Sequence, residues 1–256
     1  SWSRGLGDVY KRQELRAVRD DGTGECLLWY DSSMVWIGNR NNGICWMSGD
    51  THISWVTWKV ASDGTISEQG IYKAAVSWGT EDNTPSLSTP QRVYATGAYY
   101  DDYLDVYTAD GTYVNWSSDG DYLLYGKVSG GKVLVDFTTT PATTTAYDYT
   151  GNHAISPDSK KMFFNDGGDT LIVMDIDGSN EETILSVGSK RQSNINLGWL
   201  YWSPDSNYIV FTQYVFSSQT LSYSGDIYTI GADGSDTSKL TKKTRTCDWY
   251  LPLGWR

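Results

Sequence analysis

Histidine is nearly missing from this chain of 256 residues; His52 and His153 are the only two. The shortage bears first on catalysis. A Ser-His-Asp hydrolase needs an imidazole held beside an activated serine, and no Gly-x-Ser-x-Gly elbow occurs anywhere in the chain. His153 stands just before an apolar run and His52 precedes Ile53-Ser54-Trp55, so both read as strand-end polar residues rather than bases. A histidine-built metal site would need more than two. Cysteine is scarce as well: Cys26, Cys45 and Cys247 lack zinc-like spacing, and an odd number closes no disulfide framework. Cys26 and Cys45 either bridge, if the chain is secreted, or remain ordinary thiols. Basic residues number 20 against 31 acidic ones, a net charge of −11. That balance argues against a nucleic-acid partner, which needs clustered Lys and Arg. The one basic cluster, Lys239 to Arg245, reads as a solvated strand end or loop. No apolar run approaches the roughly 18 residues of a membrane helix. Phosphate-cradling glycine loops and dinucleotide fingerprints are absent too, and no cofactor is expected.

What is present is repetition. Trp116-Ser117-Ser118-Asp119-Gly120, Ile155-Ser156-Pro157-Asp158-Ser159 and Trp202-Ser203-Pro204-Asp205-Ser206 are versions of one block. Each is followed by an apolar run: Tyr122 to Tyr125, Met162 to Phe164, and Tyr208 to Phe211. After the second and third come a further apolar run and an Asp-Gly-Ser, at Asp177-Gly178-Ser179 and Asp233-Gly234-Ser235. Proline presets φ at the first corner of a turn, and Asp, Gly and Ser suit the other corners. Short runs rich in Val, Ile, Tyr, Phe and Trp between such turns are strands, and Asp-Gly between two of them marks a hairpin. Two hairpins in succession give a four-stranded antiparallel meander. One such meander cannot bury both faces, so copies must stack.

The first position of the block can be followed through Trp29, Leu87, Trp116, Ile155, Trp202 and Trp255, at intervals of 58, 29, 39, 47 and 53 residues. The mean, about 45, is the period of a four-stranded propeller blade. Trp-Ser-Pro-Asp, a strand, Ile-Tyr, Asp-Gly-Ser and Leu-Thr together resemble the TolB-type (WD40-like) β-propeller repeat. Residues 202 to 241 resemble a full copy and 154 to 185 another, with Ile155 in the tryptophan position. The copy at 116 departs further, since Ser118 replaces proline, and residues 24 to 100 match loosely.

The resemblance implies an all-β fold, a β-propeller of about five four-stranded blades with almost no helix. Approximate blades are 24–80, 81–113, 114–152, 153–199 and 200–248, with 249–256 entering a further one. The strands carrying Asn115-Trp116, Ala154-Ile155 and Tyr201-Trp202 are expected to be the innermost, and the tract from Val215 to Gly225 an insertion in the last blade. Residues 1–13 resemble translated sequencing-adapter read-through, fit neither a signal peptide nor a strand, and are set aside. The ring is accordingly expected to be incomplete. By resemblance the chain is a non-catalytic binding scaffold in the periplasm or outside the cell, with a protein or glycan as partner. The same repeats occur in gating propellers of prolyl-oligopeptidase-like peptidases, and a carbohydrate-active propeller is a further alternative.

Among 12 tryptophans, the repeat anchors fill wedges between blades, whereas Trp46, Trp55 and Trp58 form an aromatic tract that either packs between blades or stacks a sugar or peptide. Asp175-x-Asp177-Gly178 with Asn180 and Glu182 has a superficial likeness to a calcium loop. Its glycine falls two positions early and Ser186 stands where the closing glutamate belongs. A repeated hairpin turn accounts for it without metal. Thr138 to Thr145 reads as a polar connector between a third and a fourth strand, or as a glycan-bearing loop if the chain is secreted.

Overall fold

The computed structural model describes residues 14–17, 25–30, 36–37, 44–47, 51–60, 66–79, 84–96, 114–127, 130–166, 168–188, 194–217 and 222–241. Among these residues there are strands and turns and no α-helix. The expected foreign segment 1–13, Trp255 and Cys247 lie outside them, as does most of the basic cluster from Lys239 to Arg245. The chain divides into two compact units, 1–114 with 127–129, and 115–126 with 130–256.

In the first unit β1 (Glu14–Ala17) pairs with β2 (Cys26–Tyr30). A second sheet joins β3 (Trp36–Ile37), β4 (Ile44–Met47), β5 (His52–Val60), β6 (Ile66–Trp78), β7 (Pro85–Leu87) and β8 (Gln91–Thr96). The expected blade boundary at 80/81 is not a break between sheets. The 13-residue β6 pairs with β7 through Val76–Trp78 and with β8 through Gln69–Lys73, so β6, β7 and β8 belong to one run of pairing. Leu15, Ile53, Trp55, Ala74 and Val76 form this unit's core. Cys26 is a free thiol whose Sγ faces the Pro85 carbonyl at 3.7 Å, in place of the bridge to Cys45.

The second unit holds three four-stranded antiparallel meanders. They are β9 (Val114–Trp116) to β12 (Thr143–Tyr147), β13 (His153–Ile155) to β16 (Glu182–Ser186), and β17 (Asn194–Trp202) to β20 (Ser238–Lys239). Between their ends lie β10 (Tyr122–Gly126) and β11 (Lys132–Asp136), β14 (Lys161–Asp166) and β15 (Thr170–Asp175), then β18 (Tyr208–Ser217) and β19 (Ser222–Gly231). The strands carrying Trp116, Ile155 and Trp202 are each the first, edge strand of their sheet. Both faces of the middle sheet are covered. Met162, Phe164, Ile172 and Met174 meet Leu124 and Leu134 on one side, and Phe163, Leu171 and Val173 meet Leu197, Trp202, Ile209 and Phe211 on the other. Alternate residues of a strand point to opposite faces, so the unbroken apolar run Met162-Phe163-Phe164 is what a sheet packed on both sides requires. The tract from Val215 to Gly225 lengthens the β18–β19 hairpin, with pairs Val215↔Ser224 and Ser217↔Ser222.

The repeated block is a turn with a fixed bonding pattern. The serine hydroxyl donates to the aspartate two residues on: Ser117 to Asp119 at 2.5 Å, Ser156 to Asp158 at 2.7 Å, Ser203 to Asp205 at 2.5 Å. It also accepts the N–H of the first residue of the next strand, at 2.8, 2.9 and 2.9 Å from Tyr122, Lys161 and Tyr208. The aspartate oxygen then accepts the second N–H after it, from Asp121, Lys160 and Asn207. The fifth position must take a left-handed φ, which is +78° at Gly120, +61° at Ser159 and +62° at Ser206. Serine there costs strain that glycine avoids, and its hydroxyl gives a return. Ser206 Oγ accepts the Asp158 N–H of the preceding turn at 3.0 Å, and Ser118 Oγ donates to the Pro157 carbonyl at 2.5 Å. The turns are thereby tied from sheet to sheet. Ser206→Ala is expected to lower stability by about 1 kcal/mol, read from the urea midpoint, and Ser206→Gly by less because φ relaxes.

Candidate functional site

The same bonding that shapes the turns leaves a groove of about 550 Å³ between the β13–β16 and β17–β20 sheets. Strand direction explains its position. The Ser-x-Asp turn precedes the second strand and the Asp-Gly turn follows the third, so in an antiparallel meander both fall at one end of the sheet. Asp158, Lys161, Asn180 and Glu182 of one sheet there face Asn207, Tyr208, Asp233 and Asp236 of the next. Ser206, Gly231 and Ala232 also line it.

Most of these groups are fixed before any ligand arrives. Lys161 Nζ bonds Asp175 Oδ1 at 2.9 Å, and Asn180 Nδ2 bonds Asp175 Oδ2 at 2.7 Å. Those two bonds, with the Lys161 charge, hold the Asp175 carboxyl below the usual carboxylate range. Burial alone would raise Asp158, but bonds from Ser156, the Lys160 N–H and Ser206, with the Lys160 charge, outweigh it and keep the group low. Asp233 is lowered by the hydroxyl and N–H of Ser235. The groove thus presents Asp158, Glu182, Asp233 and Asp236 against one lysine that already has an anionic partner. Tyr208, at 38% exposure, places a large ring at its edge.

Of the two readings of the aromatic tract, Trp55 follows the packing one. Trp55 is wholly buried, stacked on Tyr72 at 5.9 Å between ring centres, and belongs to the core of the first unit. It cannot stack a ligand. Trp46 and Trp58 stand on β4 and β5, and their side chains lie outside the described residues. Ile155 and Trp202 are buried in the clusters between sheets, Trp116 is buried and stacked on Phe137 at 5.5 Å, and Trp202 Nε1 donates to the Ala154 carbonyl at 3.2 Å. The segment with calcium-loop likeness is a hairpin turn: Asp177 Oδ1 accepts the N–H and hydroxyl of Ser179, and Gly178 takes φ +85°. Asp233 and Gly234, at φ +80°, repeat it. His52 Nδ1 lies 3.0 Å from Thr51 Oγ1, while His153 opens β13 and is 2% exposed, more deeply placed than a strand-end residue. Among the described residues no three His, Cys, Asp or Glu side chains gather as a metal site. Residue-by-residue reading missed Lys161, Asn207 and Tyr208. Their signal was positional, since each directly follows a recognised turn.

No protein-family model matches the chain, and no curated protein matches it. Solved structures do. An oligogalacturonate lyase in complex with manganese superposes with a TM-score of 0.58 at 14% identity, over 90% of this chain and 59% of that one. This fold is a β-propeller. The chain spans about three fifths of that lyase's length. The propeller of Dos1 aligns at TM-score 0.46 and 9% identity over 91% of this chain and 56% of that one. An oligogalacturonate lyase from Vibrio parahaemolyticus aligns at TM-score 0.40 and 12% identity, over 94% and 87%.

Proposed function

We propose that this propeller is a non-catalytic binding scaffold of the TolB type, working in the periplasm or outside the cell, whose turn-side groove receives a basic segment of a partner protein. The observation that carries this reading is the acidic, pre-bonded lining of the groove. Four carboxylates face a space large enough for one or two long side chains; Lys161 is held by Asp175, and the exposed Lys160 reaches only Asp158, at 3.9 Å. A guanidinium or ammonium entering there would exchange water for carboxylate oxygens already arranged by the turns. A polyuronate would meet like charge, which costs affinity. The repeat sequence supports the TolB assignment, and that assignment supports the compartment.

Calorimetric titration of the full chain with an oligolysine peptide, an oligogalacturonate and a neutral cello-oligosaccharide separates the choices. The peptide alone is expected to bind, more weakly as salt rises. The double change Glu182→Gln with Asp236→Asn should weaken it about five- to tenfold. The exposed pair Asp148→Asn with Asp166→Asn, which does not line the groove, should not. Equal losses in both pairs, or preferential binding of either glycan, would overturn the reading.

A further inference from the structure

Lys132 and His153 stand at the first positions of β11 and β13. Lys132 shares a strand face with Leu134, and His153 shares one with Ile155, by the two-residue period of strands. Leu134 and Ile155 belong to the single apolar cluster packed between the β9–β12 and β13–β16 sheets. Both basic side chains therefore enter that seam, among residues such as Leu124, Phe164 and Met174. They are 7% and 2% exposed. Lys132 Nζ donates to the Thr150 carbonyl at 3.4 Å. Neither ring nitrogen of His153 has a hydrogen-bond partner of good geometry.

We infer that this seam is an acid-opened joint: a proton taken up by His153 sets a second buried positive charge beside Lys132 and drives the two sheets apart. A neutral imidazole is tolerated in an apolar seam, whereas an imidazolium loses its hydration there and finds no carboxylate among the described residues to replace it. Burial is the larger influence and the Lys132 charge adds to it, so His153 stays neutral in the closed seam down to about 3; the Gly151 backbone opposes both weakly. Other charged groups stand nearby in the chain: Lys161 and Asp166 on β14, and Asp148 in the segment leading to β13. Of these and Lys132, only Lys132 acts appreciably on the ring.

The direction of the effect follows from linkage. The open seam lets His153 titrate at its ordinary value of about 6.5, above its closed value, so the open form binds the extra proton. Closure is therefore fully favoured above about pH 6.5. Below it the opening constant rises about tenfold per pH unit, down toward the closed value.

Hydrogen exchange of the full chain, corrected for intrinsic exchange rates, reads the opening directly. Amides of 133–135 and 153–155 are expected to lose protection about tenfold per unit between pH 6 and 4.5, while those of β18 and β19 lose less. His153→Leu should abolish that slope. Equal loss across β18 and β19, or an unchanged slope in the variant, would overturn the joint. Should the variant fail to fold, proton NMR of the unaltered chain decides. With only two imidazoles present, a His153 resonance that titrates near 6.5 in the folded protein would sink the proposal, and one silent to pH 4.5 supports it.

Discussion

Trp202→Ala is expected to lower the stability of the second unit by about 3–5 kcal/mol, the range for removing a large buried aromatic. The ring is 7% exposed and lies 5.7 Å, centre to centre, from Phe163 of the neighbouring sheet. It touches a cluster that includes Leu171, Val173, Leu197 and Phe211, each no more than 4% exposed, so neighbours have little room to collapse into the void. Its indole N–H also satisfies the Ala154 carbonyl on the first strand of the adjacent sheet, and truncation would leave that acceptor without its donor. Trp202→Phe separates the two contributions. It keeps most of the packing and loses the hydrogen bond, with an expected cost of about 1–2 kcal/mol. Urea unfolding followed by fluorescence from the remaining tryptophans would give both values. A cost below about 1 kcal/mol for the alanine variant would mean that the ring does not join the two sheets.

That ring also shows why the architecture was legible in sequence. A tryptophan, a serine and an aspartate at fixed spacing carry the whole instruction for one joint: the ring fills the wedge, and the hydroxyl and carboxylate close the turn. Both tasks depend on residue type and local spacing alone, so they survive in the linear text wherever the block is intact. Ile155 shows how far the block can drift, since an aliphatic at 5% exposure still fills the wedge. Before residue 100 the block is eroded, and the reading there failed in a specific way. The segment 66–96 was divided because Leu87-Ser88-Thr89-Pro90 looked like a turn opening a new blade. The chain bends there without reversing: β7 and β8 run the same way along β6, from Pro85↔Trp78 and Leu87↔Val76 to Gln91↔Lys73 and Thr96↔Gln69, so they are one interrupted strand. A proline in a strand marks a break in the pairing, and such a break need not reverse the chain.

The groove was less legible for a related reason. Asp158 and Asp233 were recognised as turn residues, and that is what their bonds show, yet each leaves part of its carboxylate toward the space between sheets. A position with two duties shows only its stronger one in sequence. The aromatic tract left two readings open, packing or ligand stacking, and composition alone does not choose between them. Trp55 looked surplus only because the first unit had no clear repeat to assign it to, and its burial is what a core lacking Phe at those positions demands. Lys132 gave no signal at all, because a lysine at a strand end is normally solvated. Its burial depends on the segment 147–152, which crosses from β12 to β13 with Tyr149 stacked on Phe164 and Tyr147 tilted against it.

That crossing segment is where the second large effect is expected. Gly151 lies so close to β14 that a Cβ built on it would sit 2.2 Å from the Asn165 carbonyl oxygen and 2.5 Å from its Oδ1. No side-chain rearrangement relieves contact with a backbone oxygen, so Gly151→Ala must push the two segments apart. The shift would break the bonds that register them, Gly151 N–H to the Asn165 carbonyl at 3.0 Å and Asn165 N–H to the Asn152 carbonyl at 2.8 Å. Overpacking with loss of buried backbone pairing is expected to cost about 3 kcal/mol. Gly188→Ala is the matched control: nothing lies within 4 Å of its built Cβ, but its φ of +59° imposes the strain of a left-handed alanine. That strain is worth about 1 kcal/mol. Thermal or urea unfolding should therefore rank wild type, Gly188→Ala and Gly151→Ala in descending order. Because Gly151 adjoins Asn152 and His153, the Gly151 variant should also expose the seam amides of 153–155 at neutral pH. If the two alanine variants were equally stable, the close approach of 151 to β14 would not be a feature of the folded chain.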